Sequence, residues 1–445
     1  MTQISELKKN IDPDLTGAQM HRLMEKLYPI CRSITGDGVR KTLDIVGERI
    51  PLSISEVPTG TRVFDWTVPR EWNIRDAYIK APSGERVVDF KANNLHVMSY
   101  SVPVHAKMPL SKLKDHLFTL PDRPGWVPYR TSYYAENWGF CLSHEQLTQL
   151  PEAVYEVCVD SSLEEGNLTY GECFLRGERP DEVLISCHVC HPSLCNDNLS
   201  GIALAAFLAG LLRPLSLRYS YRFLFIPGTI GSITWLALHE DRTRRIKHGL
   251  VVTGVGDPGG FTYKKSRRDC AEIDRIVEHV LKHSGAAYEI ADFSPYGYDE
   301  RQYCSPGFDL PVGCLQRTPH GKYPQYHTSA DNLEFVKPAA LAESLLLYLG
   351  VVDVVENNGL YVNTNPMCEP QLGRRGLYTA IGGRSDSFDR QMAMLWVLNL
   401  SDGSNTLLDI ACRSQLRFDL VREVADALLQ HGLLRGEPSG RGSGA

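Results

Sequence analysis

Two imidazoles and two carboxylates, each set just after an apolar run, are the residues of this chain best suited to chemistry. The segment His188-Val-Cys-His-Pro-Ser-Leu-Cys-Asn-Asp-Asn-Leu-Ser-Gly201 opens with a histidine at the end of the β-run Val183–Cys187 and carries Asp197 before an apolar helix. An imidazole at a strand end and a carboxylate at a helix start commonly set two metal ligands on one rim of an α/β sheet. The run Leu250–Thr253 leads into Gly254-Val-Gly-Asp257, placing a second carboxylate just past a strand end. Tyr326-His327-Thr-Ser-Ala-Asp331 puts a second imidazole in a loop before a helix, with Asp331 read as a cap or hydrogen-bond partner. His188, Asp197, Asp257 and His327 thus come from separate loops expected at one carboxyl edge. This donor set suits Zn²⁺, one ion or two, with Mn²⁺ and Fe²⁺ less selectively matched. A bridging aspartate would let a water shared by two ions act as nucleophile at neutral pH.

The elements that must position these groups are legible as changes of period. Residues 15–48 carry a helical pattern around Met20, Leu23, Leu27 and Leu43. From 57 to 150, short alternating runs such as Arg62–Pro69 and Asn94–Val102 are separated by turn clusters, which predicts an inserted β-rich domain. Over 151–350 strands alternate with helices: strands at Tyr221–Ile226 and Gly249–Thr253, helices at Asn198–Leu212, Ile233–His239 and Ala271–His283. That alternation predicts an α/β fold, a mostly parallel sheet sandwiched by helices, built from 1–56 and 151–360. Three short helices around Ser401-Asp-Gly403 predict a winged helix over 361–436, and 437–445 reads as a disordered tail. There are no internal repeats.

The chain has 445 residues and a formal net charge of -6, which points neither to nucleic acid nor to a membrane surface. Its N-terminus lacks the apolar core of a signal peptide, and the longest apolar run, Ile202–Leu212, is too short to cross a bilayer. Twelve cysteines without a secretion signal suit free thiols, and a cytoplasmic location is expected. Cys187-His-Val-Cys190-His191 matches the c-type haem pattern literally, but its place in a buried strand argues against attachment. A zinc ribbon from Cys187, Cys190 and Cys195 lacks its second Cys-x-x-Cys pair, so these thiols read as packing residues and His191 as structural. Trp66, Trp72 and Trp138 read as core of the insert rather than the floor of a ligand pocket.

On these motifs the chain resembles the zinc aminopeptidase superfamily that also contains the glutaminyl cyclases. Within it, the nearest likeness is to proteins with an aminopeptidase-like domain, an inserted β domain and a C-terminal winged helix. Further marks are Tyr28-Pro-Ile-Cys-Arg-Ser-Ile-Thr-Gly36, Asp65-Trp-Thr-Val-Pro-Arg-Glu-Trp-Asn73 and Ser132-Tyr-Tyr-Ala-Glu-Asn-Trp-Gly-Phe-Cys141. Asp299-Glu-Arg-Gln-Tyr-Cys-Ser-Pro-Gly307 and Asn399-Leu-Ser-Asp-Gly403 complete the set. The resemblance implies that Asp197 is the bridging ligand, that His188 and Asp257 complete one metal position, and that His327 belongs to the other.

One departure stands out. In the superfamily a glutamate, or a pair, follows the strand here read as Tyr221–Ile226, one as general base and one as ligand. Relatives of this subfamily show Pro-Glu-Thr-Ile-Gly-Ser, whereas this chain has Pro227-Gly228-Thr-Ile-Gly-Ser232. Losing a general base commonly costs about 10²–10⁴-fold in rate; losing a ligand would weaken the second metal position. Glu300, in a loop that approaches the substrate in the superfamily, is the first candidate for a surrogate base or for gripping a substrate ammonium, with Glu240 a weaker choice. Arg301 would suit a substrate carboxylate, and Gln302, Arg130, Tyr133 and Tyr134 are expected on the substrate side.

The expected function is a metal-dependent enzyme acting on an amide or peptide-like small molecule in a biosynthetic pathway, by attack of water or of an internal amine. A catalytically degenerate pseudo-peptidase that binds or scaffolds is the first alternative; a metal-sensing regulator acting through the winged helix is the second. The helix Phe418–His431 carries one arginine against three acids, so packing or homo-oligomerisation is expected of that domain rather than DNA reading.

Overall fold

The segments Glu182–His188 and Ser220–Ile226 are buried at every position. Strands with no polar face need cover on both sides, which is the condition of a parallel sheet between helices. In the computed structural model, which describes residues 3–377 and 385–436, they pair in parallel at the middle of an eight-stranded sheet. From one edge the order is Ser53–Pro58, Asn167–Leu175, Ser220–Ile226, Glu182–His188, Ile246–Val252, Val312–Gln316, Phe261–Lys264 and Tyr288–Ala291. The four central strands are mutually parallel, and antiparallel strands finish the sheet toward both edges. The fold is thus the expected α/β sandwich with a largely parallel core.

The helix Ser200–Leu212 is apolar almost all round and buried along nearly its whole length, as a helix laid on the inner strands must be. Parallel pairing sets His188 opposite Ile226, so the chain leaves the sheet at His188, at Pro227-Gly228 and at Gly254 on one side. That edge collects the loops that carry the chemistry.

The insert contains its own antiparallel sheet, ordered Arg86–Asp89, Glu71–Lys80, Val154–Glu164 and Val104–Pro109. Its strand Val154–Glu164 runs past the expected boundary at 150, because inward residues continue to alternate through Ser161. Trp72 is buried, stacked on Tyr100 and bonded to the Ser101 carbonyl, whereas Trp66 is half-exposed against Tyr134. Trp138 stacks on His116.

Two units are distinct: Ile11–Arg275 with Ala286–Leu346 holds both of these sheets, and the other takes the first ten residues, Ile276–Gly285 and the chain from Leu347 on. In the second unit, Leu360–Asn363 pairs antiparallel with Asp402–Thr406 and Leu434–Gly436 beside the helices Ser385–Leu400, Leu407–Ser414 and Phe418–Gln430. This is the winged helix. The tail expected at 437–445 lies outside the described residues. Two helical stretches among the described residues, Cys195–Leu212 and Pro338–Asn357, are by length and composition apolar enough to cross a membrane, but they are 89% and 78% buried, as core helices are.

Candidate metal centre

His188 ends its strand, and the chain returns to it through a single wide turn, Cys195–Leu199, that leads into the buried helix. Turns of this kind recur at functional sites, and here nearly every polar group serves to hold Asp197. The Asp331 carboxylate accepts the backbone N–H of Asn196 (2.6 Å) and of Asp197 (3.0 Å). Asn196 accepts Gly256 N–H on its amide oxygen and donates its amide to Asp257 Oδ2 (3.1 Å). Asn198 donates to the carbonyls of Val252 and His188. The asparagines on either side of Asp197 are therefore clamps between the turn and the neighbouring strand ends.

Asp197 is completely buried, and two imidazoles close on it: His188 Nε2 at 2.8 Å from Oδ1 and His327 Nε2 at 2.9 Å from Oδ2. A third, His191, stands with Nε2 3.8 Å from Oδ2. Burial alone would raise the Asp197 pKa, but the three imidazoles together outweigh it and hold the carboxyl well below its ordinary value. Burial pushes His191 down to about 3, against the pull of Asp197 and with His188 and His327 adding to the shift, so its ring is neutral at pH 7. His327 has a backbone φ of 55°, in the left-handed region that side chains other than glycine seldom occupy. Its carbonyl accepts Tyr129 N–H and Thr328 bridges to Pro128, so the segment is tied down where it turns inward. Strain of this sort gathers at sites where a side chain must be aimed.

Aromatic rings fix the ligands' planes. Tyr298 stacks on His188 with ring centroids 5.3 Å apart, and Tyr326 stacks on His327 at 3.9 Å. Tyr129 meets both His191 and His327, at 5.2 and 5.1 Å. Above them opens a pocket lined by His188, His191, Gly228, Asp299, Tyr298 and Tyr326 among others.

Three expected site residues thus come together: His188, Asp197 and His327. Asp257 does not reach them. Its Oδ1 accepts Gly259 N–H (2.8 Å) and the Thr318 hydroxyl (2.5 Å), and its Oδ2 accepts Asn196 and Thr318 N–H, so the carboxylate is consumed in bracing Asn196. Glu300, expected as surrogate base, is turned into the protein: Oε1 accepts Lys264 Nζ (2.7 Å) and Tyr298 N–H. Neither Arg301 nor Gln302 lines the pocket. Arg130 is exposed with its guanidinium over Phe118, and Tyr134 is half-exposed against Trp66. Tyr133 lies one step behind the site, its hydroxyl 2.8 Å from that of Tyr129. Glu240 stands at the start of its own short helix and is not a lining residue.

The carboxylate that does face the pocket is Asp299. It is buried, and Ser232 Oγ donates to its Oδ1 (2.9 Å), while Oδ2 has no hydrogen-bond partner among the described residues. Burial raises its pKa to about 6, against His188 and the Ser232 bond. A Cβ added at Gly228 would lie 3.3 and 3.4 Å from its two oxygens. The space left by the missing side chain at 228 is therefore bordered by an acid from another loop.

Residues 21–358 match the family described as a domain of unknown function (DUF4910), and 359–436 match one described as a winged helix-turn-helix. A Clostridium acetobutylicum protein, provisionally named for polysaccharide biosynthesis and for an aminopeptidase-like domain, is 56% identical over 420 residues, 94% of this chain and 96% of that one. A crystal structure from the same species, provisionally named a peptidase, is 53% identical with a TM-score of 0.93, covering 98% of this chain and 99% of that one. A zinc aminopeptidase of Bacillus subtilis is 13% identical with a TM-score of 0.56 over 77% of this chain and 95% of that one, a likeness of fold.

Proposed function

The chain belongs to the DUF4910 family, and on that footing we propose that it is a metal-dependent enzyme that cleaves an amide bond in a small biosynthetic molecule. One observation carries the reading: His188 and His327 converge on the two oxygens of Asp197 beneath an open pocket that also presents a buried, half-partnered acid. Imidazoles around a buried carboxylate are a donor set that fits zinc. His188, His327 and Asp197 would hold the ion. Once bound, it supplies Lewis acidity toward an amide carbonyl.

The chain's own residues would do the rest. Asp299 Oδ2 accepts a hydrogen bond, and then a proton, from the attacking water, and returns that proton to the leaving nitrogen. Ser232 holds Oδ1, which leaves Oδ2 as the oxygen without a hydrogen-bond partner among the described residues. Tyr298 and Tyr326 hold the imidazole planes and keep bulk water from their backs. The pocket suits a small molecule rather than a folded partner.

The name of the C. acetobutylicum relative supports a biosynthetic role and makes N-acylated sugars the first substrates to assay. Gly228 favours a second reading, a binding protein without turnover, since the superfamily's carboxylate is absent there. Purified protein assayed against N-acetylhexosamines and amino-acid anilides, with and without chelator, separates the two. Chelator-sensitive release of acid or amine supports the enzyme; metal-free protein that hydrolyses none of these amides even after zinc is added would leave the binding protein.

A further inference from the structure

We infer that His191 is a ligand of the same centre, holding one ion together with His188 and Asp197. The inference rests on the metal-centre reading above and goes beyond the superfamily ligand set, which has no counterpart to this residue. Two donors about 2.0–2.1 Å from a tetrahedral zinc lie about 3.3 Å apart. His191 Nε2 and Asp197 Oδ2, at 3.8 Å, are too far apart for a hydrogen bond and close to that separation. His188, His191 and Asp197 each offer an atom within 4.8 Å of the others, a grouping that does not include His327, which approaches Asp197 Oδ2 at 2.9 Å.

The opposite side of the ring supports the same role. His191 Nδ1 lies 3.3 Å from Cys190 Sγ, and a metal-binding imidazole needs such a partner on its other nitrogen to fix ring and tautomer. Its backbone is anchored too, since the fully buried Arg32 donates Nε to the His191 carbonyl (3.0 Å). The ring stands about equally far from its neighbours, with centroids 5.0 Å from His188 and 5.1 Å from His327. Gly228 gives no donor and Asp257 is spent on four hydrogen bonds, so the carboxylates for a second ion are not at hand. An extra imidazole in place of acids turns a two-ion centre into a one-ion centre.

The test needs no substrate. Metal-free full-length protein is titrated with zinc against a chelating dye, for wild type, His191→Ala, His191→Asn and His320→Ala, the last being a pocket imidazole outside the cluster. We expect one ion in wild type, an affinity about 100-fold weaker or worse in both His191 variants, and wild-type affinity in His320→Ala. Thermal melts of the metal-free variants separate misfolding from lost ligation, and Co²⁺ absorption should weaken in His191→Asn as water replaces imidazole. One ion bound equally well without His191 overturns the inference and leaves the metal-centre reading standing. Two tightly bound ions overturn the one-ion count, and none at all overturns both.

Discussion

Replacing Asp299 by asparagine keeps the shape and the Ser232 contact but removes the proton acceptor. kcat should fall about 10²–10⁴-fold with KM and bound zinc unchanged; metal analysis showing loss of the ion would instead make Asp299 a ligand. Because the base works only when ionised and burial places it at about 6, kcat/KM should climb as pH rises through about 6 and level off above. A profile flat from pH 5 to 8 would remove Asp299 from the role. Glu300→Gln should act differently, breaking a buried pair with Lys264 at a cost of about 3 kcal/mol or more, visible in a melt, while zinc affinity holds. The sequence could not separate these neighbours: two acids in succession at the start of a four-residue helix carry no period that tells which faces inward. The partners of Asp257 were hidden for a related reason, since Thr318, which donates to its carboxylate, is distant in sequence. His191 was read as structural because one more histidine beside a strand carries no signal of its own. His188, Asp197 and His327 were legible because each follows an apolar run or sits in a distinctive motif.

Among the elements, the loop after His188 matters most, and Arg32 ties it to the N-terminal helices. Its guanidinium is completely buried, donating to the Leu27 carbonyl (2.7 Å) at the end of Pro13–Leu27 and to the His191 carbonyl (3.0 Å). No carboxylate among the described residues pairs with it, and burial lowers its pKa to about 10. Two opposing terms follow for Arg32→Met. Losing hydrogen bonds to a charged donor costs about 1.5–3 kcal/mol each, while removing an uncompensated buried charge returns several kcal/mol. We expect the two to nearly cancel in Tm, and zinc affinity to fall about 10-fold as the His191 loop loosens. A large drop in Tm with unchanged zinc affinity would show that Arg32 serves stability alone. Strands and helices around this loop were easy to read because fully apolar runs leave few alternatives. The insert's far limit was not, since Val154–Glu164 keeps the alternation of the insert's own sheet and only the next strand, Asn167–Leu175, joins the central one.

At the scale of the whole molecule, the open question is what the winged helix is for. A helix that reads DNA needs unpaired cations around it, because phosphate neutralisation supplies most of the affinity. In this unit three of the described cations near Phe418–Gln430 are already engaged. Arg422 pairs with Asp426 (2.7 Å) and bonds the Tyr361 hydroxyl, Arg417 pairs with Asp419 (2.6 Å), and Arg390 pairs with Glu423. Asp419, Glu423 and Asp426 would face the phosphates if those pairs opened, which makes the helix a poor reader of DNA. Fluorescence anisotropy with a mixed-sequence duplex at 150 mM salt should show nothing tighter than about 1 µM, the tight end of non-specific binding, with or without zinc. Tighter binding that weakens steeply as salt is raised would put the regulator reading back in front, and zinc dependence of that binding would connect it to the centre built on Asp197.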